Sequence, residues 1–222
     1  MSKELFGQEF GAEFSVFEGK VWDFNRDLDT GDFPYNPNLP TYCSIDFGYR
    51  MPAVLFMQTY WDGELEHIRV FDSILHKQNI KTEDLIKMIK TKGYPIMSYY
   101  GDPAGSNVQG QSGAGDMEIF RRSGIRIISA RDRMSRNLVA SIAYARGFFE
   151  SADGIRRVHV DKKCTELIED FEEYRYPESE DGKPIKEEPL KDGTHDHGND
   201  AFRYFITNRF PMRNNEMKRI QR

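Results

Sequence analysis

The sequence predicts an α/β protein built on a mixed β-sheet. Residues 42–75 hold three segments rich in β-branched and aromatic side chains, two of them joined by the hairpin signal Asp62-Gly63. From residue 82 onward the apolar period becomes that of amphipathic helices alternating with short apolar runs. The chain has 222 residues, 38% hydrophobic and 13% aromatic, which suffices for one core and excludes wholesale disorder.

The elements follow in order. Residues 1–40 lack sustained periodicity and end in the stretch 29–40, rich in Pro, Asn and Asp, so they are expected as an arm or linker. Residues 42–47, 53–61 and 65–75 are the three opening strands, antiparallel to one another. Leu85, Ile86 and Ile89 set a helix after Thr82, the expected N-cap, with Glu83 and Asp84 in the first turn. Residues 96–100 form a short strand ending at Gly101-Asp102. Residues 117–122 read as a helix that stops near Gly124, and residues 125–129 as another strand. Leu138, Ile142, Ala145 and Phe149 mark a helix after Ser135, and residues 158–160 a short extended piece. Leu167, Ile168, Phe171 and Tyr174 mark the next helix. A hairpin-like excursion around Asp181-Gly182 precedes a last helix from about His197 to Arg209. Residues 41–210 are thus expected as one domain and residues 211–222 as a basic tail. Antiparallel strands 1–3 followed by alternating helix and strand is the order of the ribonuclease H-like fold, a mixed sheet flanked by helices.

Composition excludes several classes. The longest apolar run, residues 53–57, is far short of the roughly 20 residues a membrane helix needs. The first ten residues carry charges and no apolar block, so no signal peptide is expected. Cys43 and Cys164 lie far apart without metal or disulfide spacing, which fits a reducing, cytoplasmic setting. The net charge of −5 is unevenly spread. Residues 165–189 hold ten acids against three bases; residues 121–136 hold six arginines against Asp132, and residues 203–222 six cations against Glu216. Two basic segments therefore hide inside an acidic average, and clustered charge is what a DNA partner feels.

Three motifs carry the chemistry. Ser44-Ile45-Asp46-Phe47-Gly48 and Tyr99-Tyr100-Gly101-Asp102-Pro103 each place an aspartate at the C-terminal end of a strand. Asp196-His197-Gly198-Asn199-Asp200 opens the last helix. Singly, such an aspartate reads as a turn or cap residue. Together, carboxylates from neighbouring strand ends and a helix can converge, and they repel one another unless a divalent cation neutralises them. An all-oxygen set suits Mg²⁺ or Mn²⁺, and no His/Cys cluster offers a zinc site. One such ion, or two held roughly 3.5–4 Å apart, can activate water for phosphodiester hydrolysis.

These residues resemble the nuclease domain of the large terminase subunit of tailed bacteriophages. The resemblance runs from about Glu9 to Phe210. It is carried by Gln8-Glu9-Phe10-x-x-Glu13-Phe14, Ile45-Asp46-x-Gly48, Gly101-Asp102-Pro103-Ala104-Gly105 and Cys164-x-x-Leu167-Ile168-x-Asp170-Phe171-x-x-Tyr174. Most specific is Asp196-His197-x-x-Asp200-Ala201-x-Arg203-Tyr204. It implies a metal-dependent, ribonuclease H-like endonuclease that cuts concatemeric double-stranded viral DNA in the host cytoplasm before and after packaging. By motif, Asp46, Asp102 and Asp200 match the metal-binding acids and His197 a histidine beside the third. Asp196 is left as an alternate ligand or the N-cap of the last helix. The resemblance also implies that residues 1–40 are an arm leading from a packaging ATPase domain not expected in this chain, with a small terminase subunit and a portal protein as further partners. No G-x-x-x-x-G-K-[ST] phosphate loop occurs, so ATP hydrolysis is not expected of this chain.

Arg131, Arg133 and Arg136, near a strand-to-helix turn, are candidates for holding DNA phosphates or else an exposed solvated loop; Lys162 and Lys163 fit more weakly. Trp22, Trp61 and Cys43 read as packing residues, and His67, His76 and His159 as structural. Other readings are a junction resolvase or transposase of the same fold, or a catalytically idle DNA clamp.

Overall fold

The computed structural model describes residues 19–47, 51–102, 115–129, 133–177 and 188–210. Among them are seven strands: β1 (Thr30–Gly31), β2 (Thr41–Asp46), β3 (Ala53–Asp62), β4 (Leu65–Ile74), β5 (Ile96–Gly101), β6 (Ile127–Ile128) and β7 (Val158–Asp161). They form one sheet in the order β1-β7-β4-β3-β2-β5-β6. β2, β3 and β4 are antiparallel neighbours, with the Asp62-Gly63 turn joining β3 to β4. All other pairings are parallel, because helical crossovers join those strands. The helices are α1 (Arg26–Asp29), α2 (Thr82–Thr91), α3 (Asp116–Arg122), α4 (Arg133–Arg136), α5 (Leu138–Phe149), α6 (Thr165–Glu173) and α7 (Asp196–Arg209). The expected class is therefore met: an α/β mixed sheet of ribonuclease H-like order.

Side chains alternate across a strand, so the sheet builds two cores. On one face Cys43, Ile45, Val54 and Phe56 pack under α2 and α3, against Leu85, Ile86, Ile89 and Phe120. On the other, Tyr42, Leu55, Met57 and Tyr100 pack under α5, α6 and α7, with Phe149, Phe171, Phe202 and Phe205 forming an aromatic cluster. Parity therefore puts Tyr42, Ser44 and Asp46 on the α7 face of β2. Tyr100 lies on that face too, and Asp102 shares its parity.

Several local expectations are corrected. Residues 1–40 are expected as an arm, yet Val21, Trp22 and Phe24 are buried in the larger core, and β1 pairs with β7. Aromatic side chains spaced two apart supply that burial without any long periodic run. The helix after Thr82 takes Lys81 as N-cap, because the Thr82 hydroxyl donates instead to the Asp116 carboxylate of α3. The helix expected after Ser135 starts at Leu138, capped by Asn137, whose Oδ1 accepts from the Ala140 N–H at 2.8 Å. Trp61 is not a packing residue: it stands 68% exposed near the β3–β4 turn. The Asp181-Gly182 excursion, the segment after Asp102 and the basic tail lie outside the described residues. Among the described residues no helix is long and apolar enough to cross a membrane.

Candidate active site

β2 and β5 run parallel with Ile45 opposite Gly101, so the next residue on each, Asp46 and Asp102, leaves the sheet from adjacent strand ends. Gly101 is needed for that approach. A Cβ there would lie 3.0 Å from the Ile127 side chain and 3.2 Å from the Ile45 carbonyl. The third acid arrives on α7. Ala201, Phe202, Phe205 and Ile206, the apolar stripe legible in the sequence, are fully buried against the sheet. The Ser44 hydroxyl donates to the Ala201 carbonyl at 2.7 Å, which pins α7 to β2 two residues before Asp46. Asp200 is thereby carried to the same end of the sheet.

The three acids sense one another. Burial pushes the Asp46 carboxyl above its ordinary range, the His197 hydrogen bond opposes this, and the charges of Asp200 and Asp102 add to it. Burial, then the charges of Asp200, Asp46 and Asp102, also pushes the Tyr204 hydroxyl far up. His197 donates from Nδ1 to Asp46 Oδ2 at 2.7 Å, and that bond raises the imidazole's affinity for its proton. Burial raises the Asp200 carboxyl, but Arg203 and Lys191 outweigh it and hold Asp200 below its usual value. Arg203 Nη2 donates to Asp200 Oδ1 at 2.8 Å and Lys191 Nζ to Oδ2 at 3.1 Å.

Of the predicted residues, the structure sets His197 against Asp46 and brings Asp200 and Asp102 near enough for their charges to act on Asp46. Asp196 is corrected as a cap. α7 takes His195 as N-cap, and Asp196, the first helical residue, turns back to accept from the Gly193 N–H at 2.8 Å. The positive φ of Gly193 makes that turn. Of the arginine trio, Arg131 and the Arg133 side chain lie outside the described residues, and Arg136 is exposed at the end of α4. Sequence reasoning missed Arg203 and Lys191 as partners of Asp200. The spacing of Asp200 and Arg203, three apart on a helix, was an available signal; Lys191 lies in a turn and gave none. Arg203 is buried and also donates to the Ser141 hydroxyl of α5 at 3.1 Å.

Three oxygen-donor acids that repel one another match a divalent cation in kind. As arranged, however, no group of three His, Cys, Asp or Glu among the described residues stands ready to hold a metal. Both Asp200 oxygens and one Asp46 oxygen are already engaged by Arg203, Lys191 and His197.

A mixed sheet in this strand order, with carboxylates at the ends of its central strands and on the last helix, defines the ribonuclease H-like class. Within that class the chain resembles one group. It is 25% identical over 215 residues, 93% of its length, to the large terminase subunit of Escherichia phage T5, and covers 45% of that protein. Its fold matches the P22 large terminase nuclease domain with a TM-score of 0.63 and 17% identity, over 92% of this chain and 98% of that one. It also matches the large terminase nuclease domain of bacteriophage SPP1, a structure with bound Mn, with a TM-score of 0.57 and 12% identity, over 82% and 96%. No family model matches the chain. The resemblance to terminase nuclease domains read from the motifs is thus met in sequence and in fold.

Proposed function

We propose that this chain is the metal-dependent endonuclease domain of a viral DNA-packaging terminase large subunit, cutting concatemeric double-stranded DNA. One observation carries the reading: Asp46 and Asp102 leave paired strand ends where α7 delivers Asp200, and each of these charges is felt at Asp46 or Tyr204. Asp46, Asp102 and Asp200 would hold Mg²⁺ or Mn²⁺, the kind of ion bound in the SPP1 domain, with Asp196 in reserve. When bound, such an ion polarises the phosphate and lowers the pKa of a water molecule.

The chain's own residues do the positioning. His197 fixes the rotamer of Asp46 through Nδ1, which leaves its other ring nitrogen to take a proton near the reacting phosphate. Arg203, buried beneath Asp200, locks that carboxylate in place. Arg131, Arg133 and Arg136 would grip backbone phosphates, which confer no base specificity. The remainder of the subunit with its ATPase domain, and contacts with a small subunit and portal in the infected cell's cytoplasm, belong to the same proposal, since the chain spans under half of its T5 relative.

The engagement of Asp200 by Arg203 and Lys191 favours a second reading, a DNA clamp without catalysis. Mn²⁺-dependent nicking of a supercoiled plasmid separates the two. Cleavage lost in Asp102→Ala supports the enzyme. No cleavage by the wild type, with plasmid retention intact, supports the clamp.

A further inference from the structure

Lys191 is held with unusual care for an exposed lysine. Its side chain is 58% exposed, yet the backbone on both sides is anchored. The Leu190 N–H donates to the Arg175 carbonyl at 2.8 Å. On the other side Asp192 Oδ1 accepts from the N–H groups of Thr194 and His195, both at 2.8 Å, and Gly193 N–H is tied to Asp196. These bonds fix the turn that aims the lysine at the acids, and the ammonium meets Asp200 Oδ2 at 3.1 Å. The charges of Asp46 and Asp196 also act on the ammonium, beside that of Asp200. Arg203 differs: it takes the other oxygen, Oδ1, and is buried, so it cannot leave.

We propose that Lys191 is a resident counter-ion of the acidic cluster, holding the Asp200 oxygen that a divalent cation must take and leaving it when the cation enters. The inference rests on the metal-site reading above. A divalent cation on that carboxylate would repel the ammonium 3.1 Å away, so the two compete electrostatically for the same oxygen. The metal-free protein gains from the lysine what the loaded protein must give up. A lysine suits this role because its flexible stem can swing the charge into solvent, whereas a buried arginine fork cannot. The result is a cluster that is neutralised without metal and binds the cation with a weakened apparent affinity.

The test uses Lys191→Met, which keeps the stem and removes the charge, in the full 222-residue chain. Free Mn²⁺ followed by electron paramagnetic resonance gives affinity without reference to cleavage. Lys191→Met should bind Mn²⁺ about 5-fold or more tightly than wild type, in the usual range for coupled sites. Without metal it should melt at a lower temperature than wild type, and the gap should close at saturating Mn²⁺. Lys191→Arg, with its charge restored, should return toward wild-type affinity. Unchanged or weaker Mn²⁺ binding by Lys191→Met overturns the counter-ion role. Asp46→Asn serves as the control: if it binds Mn²⁺ as wild type does, the ion sits elsewhere and the metal-site reading itself falls.

Discussion

Asp200 and Arg203 form a buried pair, and this changes what substitution at the third acid does. Removing one partner of such a pair strands the other charge and costs about 3–5 kcal/mol. Asp200→Ala should therefore lose both cleavage and stability, whereas Asp200→Asn, whose Oδ1 can still accept from Arg203, should lose cleavage and less stability. Plasmid nicking with urea denaturation of both variants checks this, and an active Asp200→Asn would remove Asp200 from the proposed site. Asp196→Ala gives up a single hydrogen bond to Gly193, worth about 1 kcal/mol, and should keep partial activity. A second residue-scale prediction concerns Asp170, buried on α6. Burial pushes its carboxyl up to about 8 and burial lowers the affinity of His76 for its proton, so at neutral pH the 2.8 Å contact is a neutral one, carboxyl O–H to His76 Nε2. The native state then holds a proton that the unfolded chain has released, between about pH 4 and 8. Native stability from this group is full below pH 4 and is lost as pH rises through 8. Urea melts at pH 5 and 8.5 should show a fall for wild type that Asp170→Asn, neutral at every pH, lacks.

At the scale of elements, α7 is the part on which the site depends. It is seated by its apolar stripe, by Ser44 and by Trp22, whose indole N–H donates to Asn199 Oδ1. It also sits so close to α6 that a Cβ on Gly198 would collide with Asp170 Oδ2, an oxygen without a hydrogen-bond partner. Gly198→Ala must therefore push α7 off α6, costing about 1–3 kcal/mol as overpacking and moving His197 and Asp200 away from Asp46. Adding Asp170→Ala should relieve part of that cost. A double-mutant cycle by urea denaturation measures it, and strictly additive losses would refute the clash. Helix interiors were legible because their period is set by residues such as Leu85, Ile89, Phe202 and Ile206. Helix ends were not. Thr82 and Ser135 resemble caps in the sequence, but Asp116 claims the Thr82 hydroxyl and Asn137 offers the better acceptor next to Leu138.

Across the whole molecule, a net charge of −5 and a Glu118 that binds both Arg121 and Arg122 leave little free positive charge on α3. Duplex binding should accordingly be weak and steeply salt-dependent, and should rely on Arg131, Arg133 and Arg136. Replacing all three with Ala should lower affinity equally on any DNA sequence and reduce the salt slope by about 0.9 for each phosphate no longer neutralised. Fluorescence anisotropy across a salt series measures it; an unchanged slope would mean that DNA enters by another face.

The sequence by itself determined the class of fold and most of its elements, and offered three acids as candidates, because each rests on information close along the chain. Runs of β-branched and aromatic residues set the strands, a 3.6-residue period set the helices, and an aspartate with a glycine one or two residues away marked the ends of β2 and β5. The tertiary structure decided what lies far apart in sequence. It brought Trp22 into the core beside Phe149 and Phe202, and left Trp61 in solvent. It joined His76 to Asp170, and set Lys191 and Arg203 on the two oxygens of Asp200. Those partnerships depend on distances across packed elements, where burial and charge choose among many candidates that look alike in a one-dimensional string.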